Sequence, residues 1–128
     1  MDSSESKNKC SVLLAEDNKI NQKLVQLMLA KFHLKGTIAE SGQEAVEMAK
    51  SNPYDIILMD LHMPGMDGVE ATRILKEELG DKCPPILALT ADVQASSKGN
   101  ALVDGWLTKP INTETLKASI EEHTGITF

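Results

Sequence analysis

The residues best suited to chemistry are acids, a hydroxyl and an amine that each follow a short apolar run. Glu16 and Asp17 follow the first run, Asp60 follows another, and Thr90 and Lys109 follow two more. Crowded carboxylates repel one another, and a hard divalent cation such as Mg²⁺ relieves that repulsion with oxygen ligands. A lysine can meet an anion at the same place. Such a set suits phosphoryl transfer to a carboxylate, with Asp60 as the nucleophile.

Short apolar runs are predicted to form the strands that carry these residues, at 11–15, 36–39, 55–59, 85–89 and 105–108. Amphipathic runs alternate with them, so the sequence predicts an α/β fold: a doubly wound five-stranded parallel sheet with helices on both faces. The carboxyl ends of parallel strands lie along one edge of a sheet. The reactive side chains are therefore predicted to meet in one crevice at that edge.

Helix signals separate the strands. The first predicted helix carries apolar residues at helical spacing, namely Ile20, Leu24, Leu27 and Met28. Ser41 and Glu44 form a capping box that opens the second helix. Asp67 is predicted to cap the third helix, which Gly80 ends, and Asn112 to cap the last one. Right-handed crossovers between parallel strands then connect the elements.

Composition limits the classes of function. The chain has 128 residues, which suits one domain, and no apolar run approaches the roughly 20 residues of a membrane helix. The net charge is −6 without a basic stripe, so neither nucleic-acid binding nor membrane contact is expected. Cys10 and Cys83 are isolated, which fits a reducing, cytoplasmic setting. We predict a disordered lead-in at 1–9, a domain at 10–124 and a tail at 125–128.

The reactive residues and their neighbours resemble the receiver domain of two-component response regulators. The resemblance covers almost the whole chain and rests on Glu16-Asp17, the stretch 59–68, Thr90-Ala91 and Lys109-Pro110. Receivers attached to hybrid histidine kinases are the most similar in Glu16-Asp17-Asn18 with Asn21-Gln22, and in the Met-Pro-Gly-Met-Asp-Gly run at 63–68. The resemblance implies a flavodoxin-like sheet with strand order 2-1-3-4-5.

The resemblance also implies a magnesium site. In it, Asp17 and Asp60 ligate Mg²⁺ directly, and Glu16 acts mainly through a metal-bound water. The backbone carbonyl of His62 is a further ligand, and Mn²⁺ is an expected substitute for Mg²⁺. Asp60 is implied as the phosphoacceptor.

Further roles follow from the same resemblance. Lys109 is implied to contact the phosphoryl oxygens, aimed by a cis bond to Pro110. Thr90 is implied to move to the phosphoryl group on activation, and Trp106 occupies the position of the switch aromatic that moves with it. The side chain of His62 is hypothesised to tune hydrolysis of the acyl phosphate.

The chain departs from the family between its fourth and fifth strands. Thr90 and Lys109 are closer in sequence than in most receivers by about three residues, close to one helical turn. The segment 93–103 is also poor helix material, and Leu102 replaces a usual glycine. We therefore predict a short, irregular or mobile fourth helix and an altered or weak output surface.

The leading interpretation is a phosphoacceptor in a His-to-Asp relay, whose donor is a histidine kinase or a histidine phosphotransfer protein. It is either the receiver of a hybrid kinase or a stand-alone regulator. One alternative is a haloacid-dehalogenase-like phosphatase, although that family has an acid where His62 stands. Another is a protein-binding module on a flavodoxin-like sheet. No glycine-rich phosphate loop follows the first strand, and the acids there would repel a nucleotide.

Overall fold

A five-stranded parallel sheet forms the centre of the structure, a computed structural model that describes residues 10–61, 63, 65, 68–90 and 103–127. The strands are β1 (Val12–Ala15), β2 (Gly36–Ala39), β3 (Ile56–Asp60), β4 (Ile86–Thr90) and β5 (Gly105–Thr108). The helices are α1 (Lys19–Ala30), α2 (Gly42–Ser51), α3 (Gly68–Leu79) and α4 (Thr113–Thr124), with a 3-10 turn at Gly80–Lys82. The predicted short fourth helix and the lead-in fall outside the described residues, so α4 here is the predicted last helix.

The strand order is β2-β1-β3-β4-β5, and all four pairings are parallel. This confirms the predicted α/β class and strand order. The order reverses between β1 and β3, which is where ligands bind in sheets of this kind. The register aligns the strand ends, with Asp60 opposite Leu89 and Thr90 opposite Thr108.

Two apolar layers cover the sheet, because successive strand residues point to opposite faces. Leu14 and Leu58 belong to the layer that packs on α1 and α4. Leu13 and Met59 belong to the layer that packs on α2 and α3. Strands buried on both faces explain why the sequence shows continuous apolar runs rather than alternation.

The helix ends largely follow the predicted signals. Ser41 Oγ accepts from the Glu44 N–H at 3.1 Å, and Asn112 Oδ1 accepts from the Thr115 N–H at 3.0 Å, which confirms both caps. Asp67 lies outside the described residues. Gly80 has a φ of 55° and begins the 3-10 turn directly after α3. Beyond α4, Ile126 packs against the core; the domain boundaries stay predictions.

Candidate functional site

The reactive residues meet at the carboxyl edge of the sheet, as predicted. Glu16 directly follows β1, Asp60 ends β3, Thr90 ends β4 and Lys109 directly follows β5. Backbone hydrogen bonds continue past the strand ends: Glu16 N–H donates to the Ala39 carbonyl at 3.0 Å, and Lys109 N–H donates to the Thr90 carbonyl at 2.8 Å. These hydrogen bonds therefore fix the backbone positions from which the side chains of Glu16 and Lys109 extend.

Acidic oxygens crowd together beside a lysine. One oxygen from each of Glu16, Asp17 and Asp60 lies within 4.8 Å of the others. Glu16 and Asp60 are 1% and 2% exposed, whereas Asp17 faces solvent. Lys109 Nζ donates to Asp60 Oδ2 at 3.1 Å and lies 3.6 Å from Glu16 Oε1. The two buried carboxylates of the cluster thus lie beside the Lys109 ammonium group.

Glu16 carries the clearest electrostatic conflict in this cluster. Burial raises the pKa of the Glu16 carboxyl, and the neighbouring Asp60 carboxyl raises it further. The N–H of Asn18, which donates to Glu16 Oε2 at 3.1 Å, and the charge of Lys109 oppose that pKa rise. The other oxygen, Oε1, is fully buried and accepts no hydrogen bond from any residue that the structure describes.

A divalent cation fits this arrangement. The donor set is entirely carboxylate oxygen, which Mg²⁺ and Mn²⁺ prefer, and the exposed Asp17 leaves one side open to water ligands. A cation would also compensate the buried Glu16 Oε1 that the described residues leave without a donor. The group that the resemblance implied is therefore compatible with the residues present.

The other predicted site residues lie on β4 and β5 or directly after β5, except for one that the structure does not describe. The peptide bond between Lys109 and Pro110 is cis, as the resemblance implied. Thr90 is 1% exposed at the end of β4. Trp106 is half-buried within β5, opposite Ala88 in the register. His62 lies outside the described residues.

Gly68 supports the phosphoacceptor strand from the start of α3. A Cβ atom on Gly68 would lie 2.4 Å from the Asp60 carbonyl oxygen and 2.8 Å from the Leu61 Cα. Those are backbone atoms, which cannot turn aside as a flexible side chain would. The close approach of α3 to the end of β3 therefore requires a glycine, for a reason that the sequence alone did not reveal.

Helix α1 forms where the apolar spacing predicted a helix, and most of that apolar stripe lies at the surface. Of the apolar stripe inferred from spacing, only Met28 packs on the core; Ile20, Leu24 and Leu27 are 70%, 48% and 60% exposed. The face that α1 buries carries Gln22, Val25 and Leu29 instead. The spacing therefore predicted the helix correctly, and the structure shows that the neighbouring stripe of that helix packs on the sheet.

The exposed apolar side of α1 reaches the site. Leu24 and Met28 line an apolar cavity of about 110 Å³ that is also lined by Glu16 and Lys109. Sequence reasoning missed this surface. The signal was present, because an apolar stripe flanked by Lys19 and Lys23 next to reactive residues is as typical of a contact surface as of a core.

Comparison with known proteins agrees with the fold and identifies the family. A family model described as "Response regulator receiver domain" matches residues 12–121. The chain is 37% identical over 115 residues to the signal transduction histidine-protein kinase BarA of Shigella flexneri, covering 88% of this chain and 12% of that protein. The chain thus spans only about an eighth of that curated relative. It belongs to the response-regulator receiver-domain family, and the relatives that it resembles include the receiver regions of hybrid histidine kinases.

Solved receivers have the same architecture. The receiver domain of the Pseudomonas aeruginosa PAO1 sensor histidine kinase PA1611, solved with a magnesium ion coordinated in its active-site cleft, aligns with a TM-score of 0.83 at 32% identity, covering 91% of this chain and 98% of that one. The receiver domain of Ssk1, solved with the Saccharomyces cerevisiae histidine phosphotransfer protein Ypd1, aligns with a TM-score of 0.80 at 34% identity, covering 91% and 90%. Among the described residues of the present chain, no helix is both long and apolar enough to span a membrane.

Proposed function

We propose that this receiver domain accepts a phosphoryl group on Asp60 in a His-to-Asp phosphorelay, in a reaction that depends on Mg²⁺. The observation that carries the proposal is the buried Asp60 carboxylate, which shares a carboxylate cluster with Glu16 and Asp17 and accepts a 3.1 Å hydrogen bond from Lys109. A carboxylate at the reversal point of the sheet, with a cation-compatible donor set beside it, suits in-line phosphoryl transfer.

The transfer needs little from the protein beyond position and charge. An Asp60 carboxylate oxygen forms the new bond to phosphorus, the phosphorus–nitrogen bond of a phosphohistidine breaks, and the imidazole nitrogen leaves with the electron pair. Lys109, already 3.1 Å from Asp60, would pair with the phosphoryl oxygens. Mg²⁺ when bound supplies further neutralisation of the phosphoryl charge.

The proposed ligand set follows the family pattern. Asp17 and Asp60 would ligate the cation directly, and Glu16 would act mainly through a metal-bound water. The backbone carbonyl of His62 would be the remaining protein ligand, and Mn²⁺ would substitute for Mg²⁺. The proximity of the three acids supports the first part of this set. The water-mediated role of Glu16 suits its buried Oε1, to which a metal-bound water could donate a hydrogen bond.

The proposed donor is the phosphohistidine of a histidine kinase or a histidine phosphotransfer protein. Such a donor must cover the rim of the site to bring phosphorus to Asp60. The rim includes the exposed Ile20, Leu24 and Leu27 of α1, spaced to meet another helix. The receiver of Ssk1, which has the same fold, was solved with such a phosphotransfer protein. No nucleic-acid or membrane partner is proposed for this domain, and its proposed compartment is the cytoplasm.

Thr90 and Trp106 are proposed as the switch residues. Thr90 ends β4 beside Lys109, and Trp106 is two residues before the end of the neighbouring β5. A phosphoryl group that draws Thr90 toward it would alter the packing next to β5. The single tryptophan would report this change as a shift in fluorescence on phosphorylation. Whether the parent protein is a hybrid kinase or a stand-alone regulator, this domain itself is a signalling acceptor and not a catalyst.

The test is incubation of the full chain with acetyl phosphate, with and without Mg²⁺, followed by intact mass measurement. We expect the mass of one phosphoryl group to appear only with Mg²⁺ and to be absent from Asp60→Asn. Asp55→Asn, at the opposite edge of the sheet, is the matched control and should still gain the group. Failure of the unaltered chain to gain it both from acetyl phosphate and from a phosphorylated histidine phosphotransfer protein would refute the proposal.

A further inference from the structure

Helix α1 carries two glutamines on the side that faces the sheet. One forms a hydrogen bond with the loop after β1, and the other forms hydrogen bonds with the first residue of β2. Gln22 is 8% exposed, and its Nε2 donates to the Glu16 carbonyl oxygen at 2.7 Å. Gln26 Nε2 donates to the Gly36 carbonyl at 2.7 Å, while its Oε1 accepts from the Gly36 N–H at 2.9 Å. The first amide thus contacts the loop of acids, and the second contacts the start of β2.

The loop after β1 is restrained at each polar group of Glu16 except one. Its N–H bonds to the Ala39 carbonyl at 3.0 Å, its carbonyl accepts from Gln22, and its Oε2 accepts from the Asn18 N–H. Asn18 is itself held as the cap of α1, since its Oδ1 accepts from the Asn21 N–H at 3.0 Å. Only the site-facing Oε1 has no hydrogen-bond donor among the described residues.

A glutamine is an unexpected residue for position 22. It shares the buried stripe of α1 with Val25 and Leu29, where an apolar side chain would pack without desolvating an amide. Its Nε2 hydrogen bond to Glu16 offsets that desolvation. The particular benefit of an amide here is therefore the fixed carbonyl of Glu16, and with it the direction in which the Glu16 and Asp17 side chains leave the loop.

We propose that Gln22 is a positioning residue for the cation site: it acts through the Glu16 backbone and touches neither the cation nor the phosphoryl group. The proposal rests on the Mg²⁺ site of the proposed function. It also accounts for the run Asn18, Asn21 and Gln22, in which Asn18 caps the helix and Gln22 clamps the acidic loop from within the core.

The experiment compares Gln22→Met with Gln26→Met in the full chain. Each removes one amide of α1 at nearly constant volume, so each should lower the melting temperature of the metal-free protein. The distinguishing measurement is the Mg²⁺ dissociation constant from calorimetric titration. Loss of an outer-shell partner typically weakens metal binding by about 10-fold or more. We therefore expect a rise of about 10-fold for Gln22→Met, and a change within about twofold for Gln26→Met.

Gln22→Asn is a second variant that tests the same proposal if the Gln22→Met protein does not fold. It keeps the amide but shortens it by one methylene, which takes the donor out of reach of the Glu16 carbonyl, so it should also weaken Mg²⁺ binding. Equal Mg²⁺ affinity in the Gln22 and Gln26 variants would overturn the positioning role while leaving the proposed function intact. An unaltered chain that binds no Mg²⁺ would overturn both.

Discussion

The two edges of the sheet use the same kind of residue in opposite ways. At the amino edge, Asp55 precedes β3 and Asp104 precedes β5. The Asp55 carboxylate accepts from the Ser11 N–H at 2.7 Å while its own N–H donates to the Ser11 carbonyl at 2.8 Å. Asp104 makes the same pair of bonds with Ile86, both at 2.8 Å. Each carboxylate there extends a strand pairing.

At the carboxyl edge, the carboxylates lie close together and repel one another. Glu16, Asp17 and Asp60 crowd together, with Lys109 beside Glu16 and Asp60, and Glu16 has a raised pKa and a buried oxygen without a donor among the described residues. Such an arrangement costs stability in the absence of a cation. Carboxylates at the amino edge therefore stabilise the fold, whereas those at the carboxyl edge keep an unfavourable interaction that a bound cation can relieve.

The largest expected effect concerns the support of the carboxyl edge. Gly68→Ala places a methyl group 2.4 Å from the Asp60 carbonyl oxygen, so backbone must move. We expect the free energy of unfolding to fall by about 3 kcal/mol, at the upper end for overpacking, and phosphoryl gain to slow because Asp60 shifts. Urea unfolding and the mass assay measure the two effects. Gly65→Ala is the control: Gly65 has a positive φ of 75° but open space around its Cβ position, so its cost should be smaller. Equal costs would contradict the close-approach argument.

The amino edge should show the next largest effect. Asp104→Ala removes the acceptor of the Ile86 N–H and the partner of Lys76, whose Nζ donates to Asp104 at 2.8 Å. Leaving a part-buried N–H without a partner costs about 2 kcal/mol. Urea unfolding should show that loss, with phosphoryl gain from acetyl phosphate unaffected after correction for the folded fraction. A stability-neutral Asp104→Ala would show that the paired arrangement at this edge does not contribute.

Cation binding should stabilise the protein only through the carboxyl edge. At ten times its dissociation constant, Mg²⁺ should raise the free energy of unfolding by about 1.4 kcal/mol. Asp60→Asn removes one of three crowded carboxylate charges, so its metal-free form should be more stable than the unaltered chain by about 1 kcal/mol. It should gain nothing from Mg²⁺. Thermal unfolding of the unaltered chain and of Asp60→Asn, each with Mg²⁺ and with a chelator, measures both stability differences. A metal-free Asp60→Asn protein that is less stable than the unaltered chain would contradict repulsion between the carboxylates.

The smallest expected effect is a pH dependence centred on Glu16. Burial raises the pKa of Glu16 in the folded state above its unfolded value of about 4.3. The favourable contribution of the protonated group is therefore fully present below that unfolded value, and it is lost as the pH rises through the folded pKa. Relative to Glu16→Gln, which does not titrate, the metal-free protein should lose stability with rising pH. Urea unfolding in chelator across this range tests the trend, and a pH-independent difference would argue against it.

Much of the fold and of the site could be predicted from the sequence, because the relevant signals are local. Apolar runs marked the strands, and the residue after each run marked the edge where Glu16, Asp60 and Lys109 meet. Asn112 and Ser41 marked helix starts through contacts three residues away. The strand order was implied by the resemblance rather than by the residues themselves. The predicted short fourth helix and the tuning role of His62 stay predictions.

The alternation of elements and the identity of the reactive residues follow from the sequence alone, since strand ends and caps depend on neighbours along the chain. Only the tertiary structure decided which stripe of α1 is buried: a helix offers several faces, and the one that docks depends on the sheet beneath it. Gln22 thereby turned inward and Leu27 outward. The close approach at Gly68 and the buried Glu16 oxygen were likewise decided in three dimensions, because each depends on atoms from strands and helices far apart in the chain.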